Sequence, residues 1–183
     1  MNAKQEDRVF YRDWKKTYPL ITRAEGIYLI DHSGKTYIDA SGGPFVVNIG
    51  HGVKEIIDAM VDQAEMVCFP YAAHFTTESQ MDFAREVVGF APSGMSRVYF
   101  VSGGSEATEV AIKLVRQYYL GKGQPSRTKI VARWQSYHGM TLGALALGGH
   151  TLYRKDYLPY LADFPHIPPP YCYRCHFGME YPA

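Results

Sequence analysis

Apolar and polar positions recur along this chain with two periods, and the change from one to the other marks out its elements. Between Glu25 and Asp39, GIYLI and KTYID predict two short strands joined by Asp31, His32, Ser33 and Gly34, all good turn formers, as in a small hairpin. The glycine-rich stretch SGGPFVVNIGHG follows. After it, Val53, Ile56, Ile57, Met60, Val61 and Ala64 fall at helical spacing. A second helix is expected from Thr77, where Thr77 and Gln80 have capping-box spacing, and it should stop near Gly89 and Pro92.

At Arg97 the run RVYFV predicts a strand that breaks at SGGS and passes directly into a helix. Ala107, Val110, Ala111, Leu114, Val115 and Tyr118 share one face of that helix. Glu109, four residues before Lys113, should support its exposed side, and Gly121 suits its C-terminal end. TKIVA predicts a further strand. Ser136 to His138 then lead into TLGALALGG, whose small residues can pack closely on a sheet. Strand and helix alternate, so the expected fold class is α/β: a parallel-rich sheet covered by helices, preceded by a small α+β segment. Sites are expected at the carboxyl ends of the strands. Beyond Pro165 the chain is rich in proline and tyrosine and follows neither period, which predicts an irregular tail. There is no internal repeat.

Composition narrows the function classes. The 183 residues, 46% hydrophobic and 20% charged, suit one globular core or part of a larger one. A formal net charge of +1 offers no dominant basic surface for nucleic acid or an anionic membrane, so small molecules and protein are the expected partners. No apolar run approaches the roughly 20 residues that span a bilayer, and the polar start MNAKQEDR lacks the apolar stretch of a secretory signal. An odd number of cysteines, Cys68, Cys172 and Cys175, suits a reducing compartment. A cytoplasmic location is expected.

The candidate chemistry begins at Ser102, Gly103, Gly104 and Ser105, between a strand and a helix, where free amides and the positive end of the helix would converge on an anion. Glycine lets the backbone approach closely, and the Ser105 hydroxyl adds a donor. A plain tight turn with serine as the helix cap remains the alternative. The turn matches neither the nucleotide phosphate loop nor the dinucleotide fingerprint. A second strand end brings Tyr137, His138 and Gly139 to the same sheet edge, where an aromatic face beside a phosphate site would suit a flat ring. Read singly, Tyr137 is a half-buried tyrosine and His138 a hydrogen-bonded core histidine.

These two segments, VYFVSGGSEATEVAIKLVR and WQSYHGMTLGAL, resemble the class III aminotransferases of the fold type I group, and GIYLIDHSGKTYIDASGG resembles that family's start. The match covers nearly the whole chain from about Arg23. The resemblance implies pyridoxal 5'-phosphate as cofactor, with Gly103, Gly104 and Ser105 on its phosphate, Tyr137 stacked on its pyridine ring, and His138 and Gly139 shaping that wall. Phe45 falls where the family places a substrate-pocket aromatic, although a core role is equally open, and FPYAAHFTT resembles a segment that reaches toward the partner subunit. Residues 1–60 would belong to the small N-terminal domain, 61–164 would begin the large cofactor domain, and 165–183 would form the tail.

Transamination also requires a carboxylate on the pyridinium nitrogen and a lysine that carries the cofactor and moves protons. No segment resembles the family's strand bearing that carboxylate. None of Lys113, Lys122, Lys129 or Lys155 fits the lysine motif, so no catalytic residue is expected within this sequence. The expected reaction is amino transfer between an amine or amino acid and a 2-oxo acid, in a homodimer when complete. The chain by itself is expected to be a poorly stable, weakly active part of such an enzyme. An aminomutase, a decarboxylating transaminase, and a noncatalytic phosphate-binding module stay open. Cys172 and Cys175, in C-x-x-C spacing beside His176, could begin a zinc or redox site, but one pair falls short of four ligands, so no metal site is assigned.

Overall fold

The structure, a computed structural model, describes residues 8–180, so most of the polar start lies outside the described residues. The chain divides into two compact units, Met1–Asp82 and Phe83–Ala183.

The first unit is built on an antiparallel meander of β1 (Ile21–Glu25), β2 (Tyr28–Asp31) and β3 (Thr36–Ile38). The expected hairpin is β2 and β3, and β1 adds a strand on the far side of β2. Asp31 explains the tightness of the β2–β3 turn. Its Oδ1 accepts from the Ser33 amide, the Ser33 hydroxyl at 2.6 Å and the Lys35 amide, and its Oδ2 accepts from the Tyr37 hydroxyl at 2.9 Å. These donors, the Ser33 hydroxyl foremost, hold the Asp31 carboxyl down at about 2, and the hydrogen bond that the Tyr37 phenol donates to it pushes that phenol up.

A kinked turn, α1 (Gly42–Phe45), follows the meander, and the expected amphipathic helix is α2 (Lys54–Met66). Asp39 anchors the kinked turn: its Oδ2 lies 3.0 Å from His51 Nε2, and its Oδ1 accepts from the Gly43 amide. The His51 ring and the turn amides hold the Asp39 carboxyl below the usual range. α3 (Glu78–Phe90) begins as its cap predicts, with the Gln80 amide donating to Thr77 Oγ1 at 3.2 Å.

In the second unit, RVYFV is not a strand. Residues 97–101 pair with no other backbone among the described residues, and a strand exists only through its ladder. The helix beyond the glycine turn, α4 (Gly104–Gly121), forms as expected. The left-handed residue after it is Gly123 rather than Gly121, with φ at +68° and its amide donating to Leu120 O at 3.0 Å. Of TKIVA only the end becomes β4 (Ala132–Arg133). β4 pairs in parallel with β5 (His166–Ile167), so the tail expected to be irregular contributes one strand, and beyond it a 3-10 turn at Cys172–Arg174.

Between β4 and β5 lie α5 (Leu142–Leu147), α6 (Thr151–Arg154) and a 3-10 turn at Leu158–Tyr160. The buried apolar residues centre on α5: Ala144, Leu145, Ala146 and Leu147, with Ala132 of β4. The small-residue run is thus buried, and the elements it packs against are the helices α4 and α6. Gly149 runs so close to the backbone of Arg133, Trp134 and Gln135 that a Cβ would lie 2.6 Å from the Gln135 nitrogen, and the Gly149 amide donates to Ser136 O. Many larger apolar side chains, among them Phe83, Tyr99 and Leu114, are exposed. Among the described residues, no helix is long and apolar enough to cross a membrane.

Candidate cofactor site

Gly103 precedes α4 in an extended conformation, and the first bond within the helix runs from the Ala107 amide to Gly103 O at 3.0 Å. The amides of Gly104, Ser105 and Glu106 therefore come before the helix ladder, where a helix leaves its donors unmatched. A Cβ on Gly103 or Gly104 would meet nothing within 4 Å, so the turn opens onto free space. Gly103 holds the cap position of α4, so neither serine of the turn is its cap. Glu106 reaches back over the turn, its Oε2 accepting from the Ser102 amide at 2.8 Å.

The loop bearing Tyr137, His138 and Gly139 lies directly against this turn. The Met140 amide donates to Ser105 Oγ at 3.0 Å, and Thr108 Oγ1 donates to His138 O at 2.8 Å. Gly139 is buried with φ at +126°, and a Cβ there would stand 2.9 Å from Ser105 Cα. Only glycine suits such a backbone at such an approach. Ser105 uses an oxygen lone pair on Met140 and keeps its hydrogen to donate.

Tyr137 is 63% exposed, with Tyr153 edge-on to its ring at 6.2 Å. It is not the half-buried tyrosine of the alternative reading, and His138 is likewise exposed rather than a core histidine. Gly103, Gly104, Ser105, Tyr137, His138 and Gly139 are thus brought together on one unit. Phe45 belongs to the other unit. There it is 82% exposed, with φ at +63°, a left-handed backbone that bulky residues rarely adopt.

Two charged residues outside the predicted site fix the ends of α5, the helix that follows this loop. Glu109 was expected to pair with Lys113 on the exposed side of α4; its carboxylate turns instead to the start of α5, accepting from Thr141 Oγ1 at 2.6 Å and from the Gly143 and Ala144 amides. Arg154 is buried, and its Nη1 lies 2.9, 2.5 and 2.6 Å from the carbonyls of Leu145, Ala146 and Gly148. No local pattern signals the Glu109 contacts, since its partners lie more than 30 positions away. Cys172 and Cys175 are free thiols, and no group of three or more His, Cys, Asp and Glu side chains is placed to hold a metal among the described residues.

Residues 10–179 match the family described as Aminotransferase class-III. An uncharacterized aminotransferase of Bacillus subtilis, YodT, is 37% identical over 89% of this chain and 37% of its own length. The putrescine–pyruvate aminotransferase of Pseudomonas aeruginosa is 35% identical over 84% of this chain and 34% of its own length. An amine transaminase from an uncultivated Pseudomonas species, solved in its PLP-bound form, superposes with a TM-score of 0.82 at 29% identity, over 97% of this chain and 41% of that one. The chain spans little more than a third of the length of the curated relatives it matches.

Proposed function

The chain belongs to the class III aminotransferase family, and from that membership we propose that it supplies the phosphate anchor and ring wall of a pyridoxal-phosphate-dependent aminotransferase. The reaction moves an amino group between an amine or amino acid and a 2-oxo acid. The bound cofactor would supply an electron sink for the carbanion formed when the amino donor loses a proton.

This chain's own residues bind and orient. The amides of Gly104, Ser105 and Glu106 and the Ser105 hydroxyl donate to the phosphate, and the exposed face of Tyr137 supports the pyridine ring beside the His138–Gly139 backbone. The reading is carried by the Met140-to-Ser105 hydrogen bond. That bond supports it by holding the segment that bears Tyr137, His138 and Gly139 against the glycine turn. The open space at Gly103 and Gly104 fits a phosphate, and the unused Ser105 proton fits its oxygen. Phe45 is assigned to the substrate pocket and residues 1–60 to the small domain, as the family pattern implies. The complete enzyme is a cytoplasmic homodimer in this reading. The amine and pyruvate named for the Pseudomonas aeruginosa relative make a diamine with pyruvate a reasonable first substrate pair to assay.

The test is a titration of the chain with pyridoxamine phosphate, whose amine cannot condense with surface lysines, beside pyridoxamine. The phosphorylated form alone should bind, and Ser105→Ala should weaken it about tenfold, the usual worth of a hydrogen bond to a charged group. Equal binding of the two forms, or none of either, would overturn the assignment.

A further inference from the structure

We propose that Glu109 is a positioning residue for the ring wall, its carboxylate fixing where Tyr137 stands relative to Ser105. The inference rests on the cofactor-site reading above and adds to it a residue that touches no cofactor. Ser105, Thr108 and Glu109 are spaced i, i+3 and i+4 on α4 and so share one face. Each bonds the loop opposite: Ser105 accepts from Met140, Thr108 donates to His138 O, and Glu109 takes the start of α5. Glu109 is the only member of the three that carries a charge, and hydrogen bonds to a charged acceptor are the strong ones.

The geometry is specific. One oxygen, Oε1, accepts from Thr141 Oγ1 at 2.6 Å, the Gly143 amide at 3.0 Å and the Ala144 amide at 3.2 Å. Both amides belong to the first turn of α5, whose donors have no partner within their own helix. Gly143 is needed for the approach, because a Cβ there would stand 2.5 Å from Glu109 Oε2. The Thr141 hydroxyl first, then the two amides, hold the carboxyl below its usual range, with a smaller contribution from Lys113. Arg154 closes the other end of α5 on its last carbonyls. The segment that follows the Tyr137 loop is therefore held at both ends, and Glu109 ties its first end to α4.

The experiment compares the whole chain with Glu109→Gln and Glu109→Ala. Glutamine keeps an acceptor oxygen at the same reach, and alanine removes it. Hydrogen exchange is followed across residues 137–148, with pyridoxamine phosphate affinity and the dichroism of the bound ligand. Glu109→Ala should speed exchange at Gly143 and Ala144 about tenfold or more. It should also diminish the ligand dichroism while the far-ultraviolet spectrum stays unchanged, and Glu109→Gln, a neutral and weaker acceptor, should recover part of both. Unchanged exchange in Glu109→Ala, or a glutamine variant as impaired as the alanine one, would overturn the proposal. Should Glu109→Ala fail to fold, retained protection at Gly143 and Ala144 with retained dichroism in Glu109→Gln supports the assignment, and unprotected exchange at those amides with wild-type dichroism in that variant rejects it. If wild type binds no pyridoxamine phosphate, the cofactor reading fails while exchange still judges Glu109.

Discussion

Gly139 and Ser105 approach so closely that a Cβ on the glycine would sit 2.9 Å from the serine Cα, at a backbone φ of +126°. Gly139→Ala meets both obstacles at once, a left-handed backbone and a backbone neighbour that cannot step aside. The variant should lose about 2–4 kcal/mol of stability and most of its pyridoxamine phosphate affinity. Thermal unfolding and ligand titration read the two effects, and an unperturbed Gly139→Ala would contradict the contact.

Arg154→Met should destabilise the second unit by about 2–4 kcal/mol. Methionine matches much of the apolar stem but leaves the Leu145, Ala146 and Gly148 carbonyls without their donor. Denaturant unfolding followed at Trp134, whose ring lies 5.6 Å from the Arg154 guanidinium, gives the comparison.

Acid should loosen the β-meander through Asp31. Its carboxyl is held at about 2 in the fold, below the ordinary value of about 4. A depressed folded value means that the stabilisation is fully present above the unfolded value and is lost as the pH falls through the folded one. Asp31→Asn should be less stable near neutrality and show a flatter decline between about pH 4 and pH 2. Amide exchange in residues 28–38 across that window measures it.

Phe45 is exposed and held in a left-handed backbone, so packing in the first unit does not account for it. Phe45→Gly should keep or raise stability by up to about 1 kcal/mol, because the strain is relieved. The same change should raise the KM for the amino donor in an assay of the complete enzyme. A clear drop in stability would show that the ring packs.

Much of the fold was legible because it is local. The Asp31–Gly34 turn, the Thr77 cap and the glycine turn into α4 each lie within a few residues of the signal that predicts them. What was not legible depends on distant partners. RVYFV has strand composition but no paired neighbour here, whereas His166 and Ile167 gain strand character only because β4 lies beside them. Gly139 could be read as part of a motif, but its left-handed backbone and its contact with Ser105 could not. Lys113 is the cation nearest to Glu109 on α4, whereas three donors from residues 141–144 take its carboxylate.

The separation of these partners also sets an order of assembly. The bonds of α4 join residues about four apart, but the Glu109 acceptor waits for a donor 32 residues downstream, and the short parallel pair waits for His166. Loop closure over such distances comes late and at an entropic cost. A chain cut back to residue 130 would keep the glycine turn but lack the segment from Tyr137 to Met140 that packs on it.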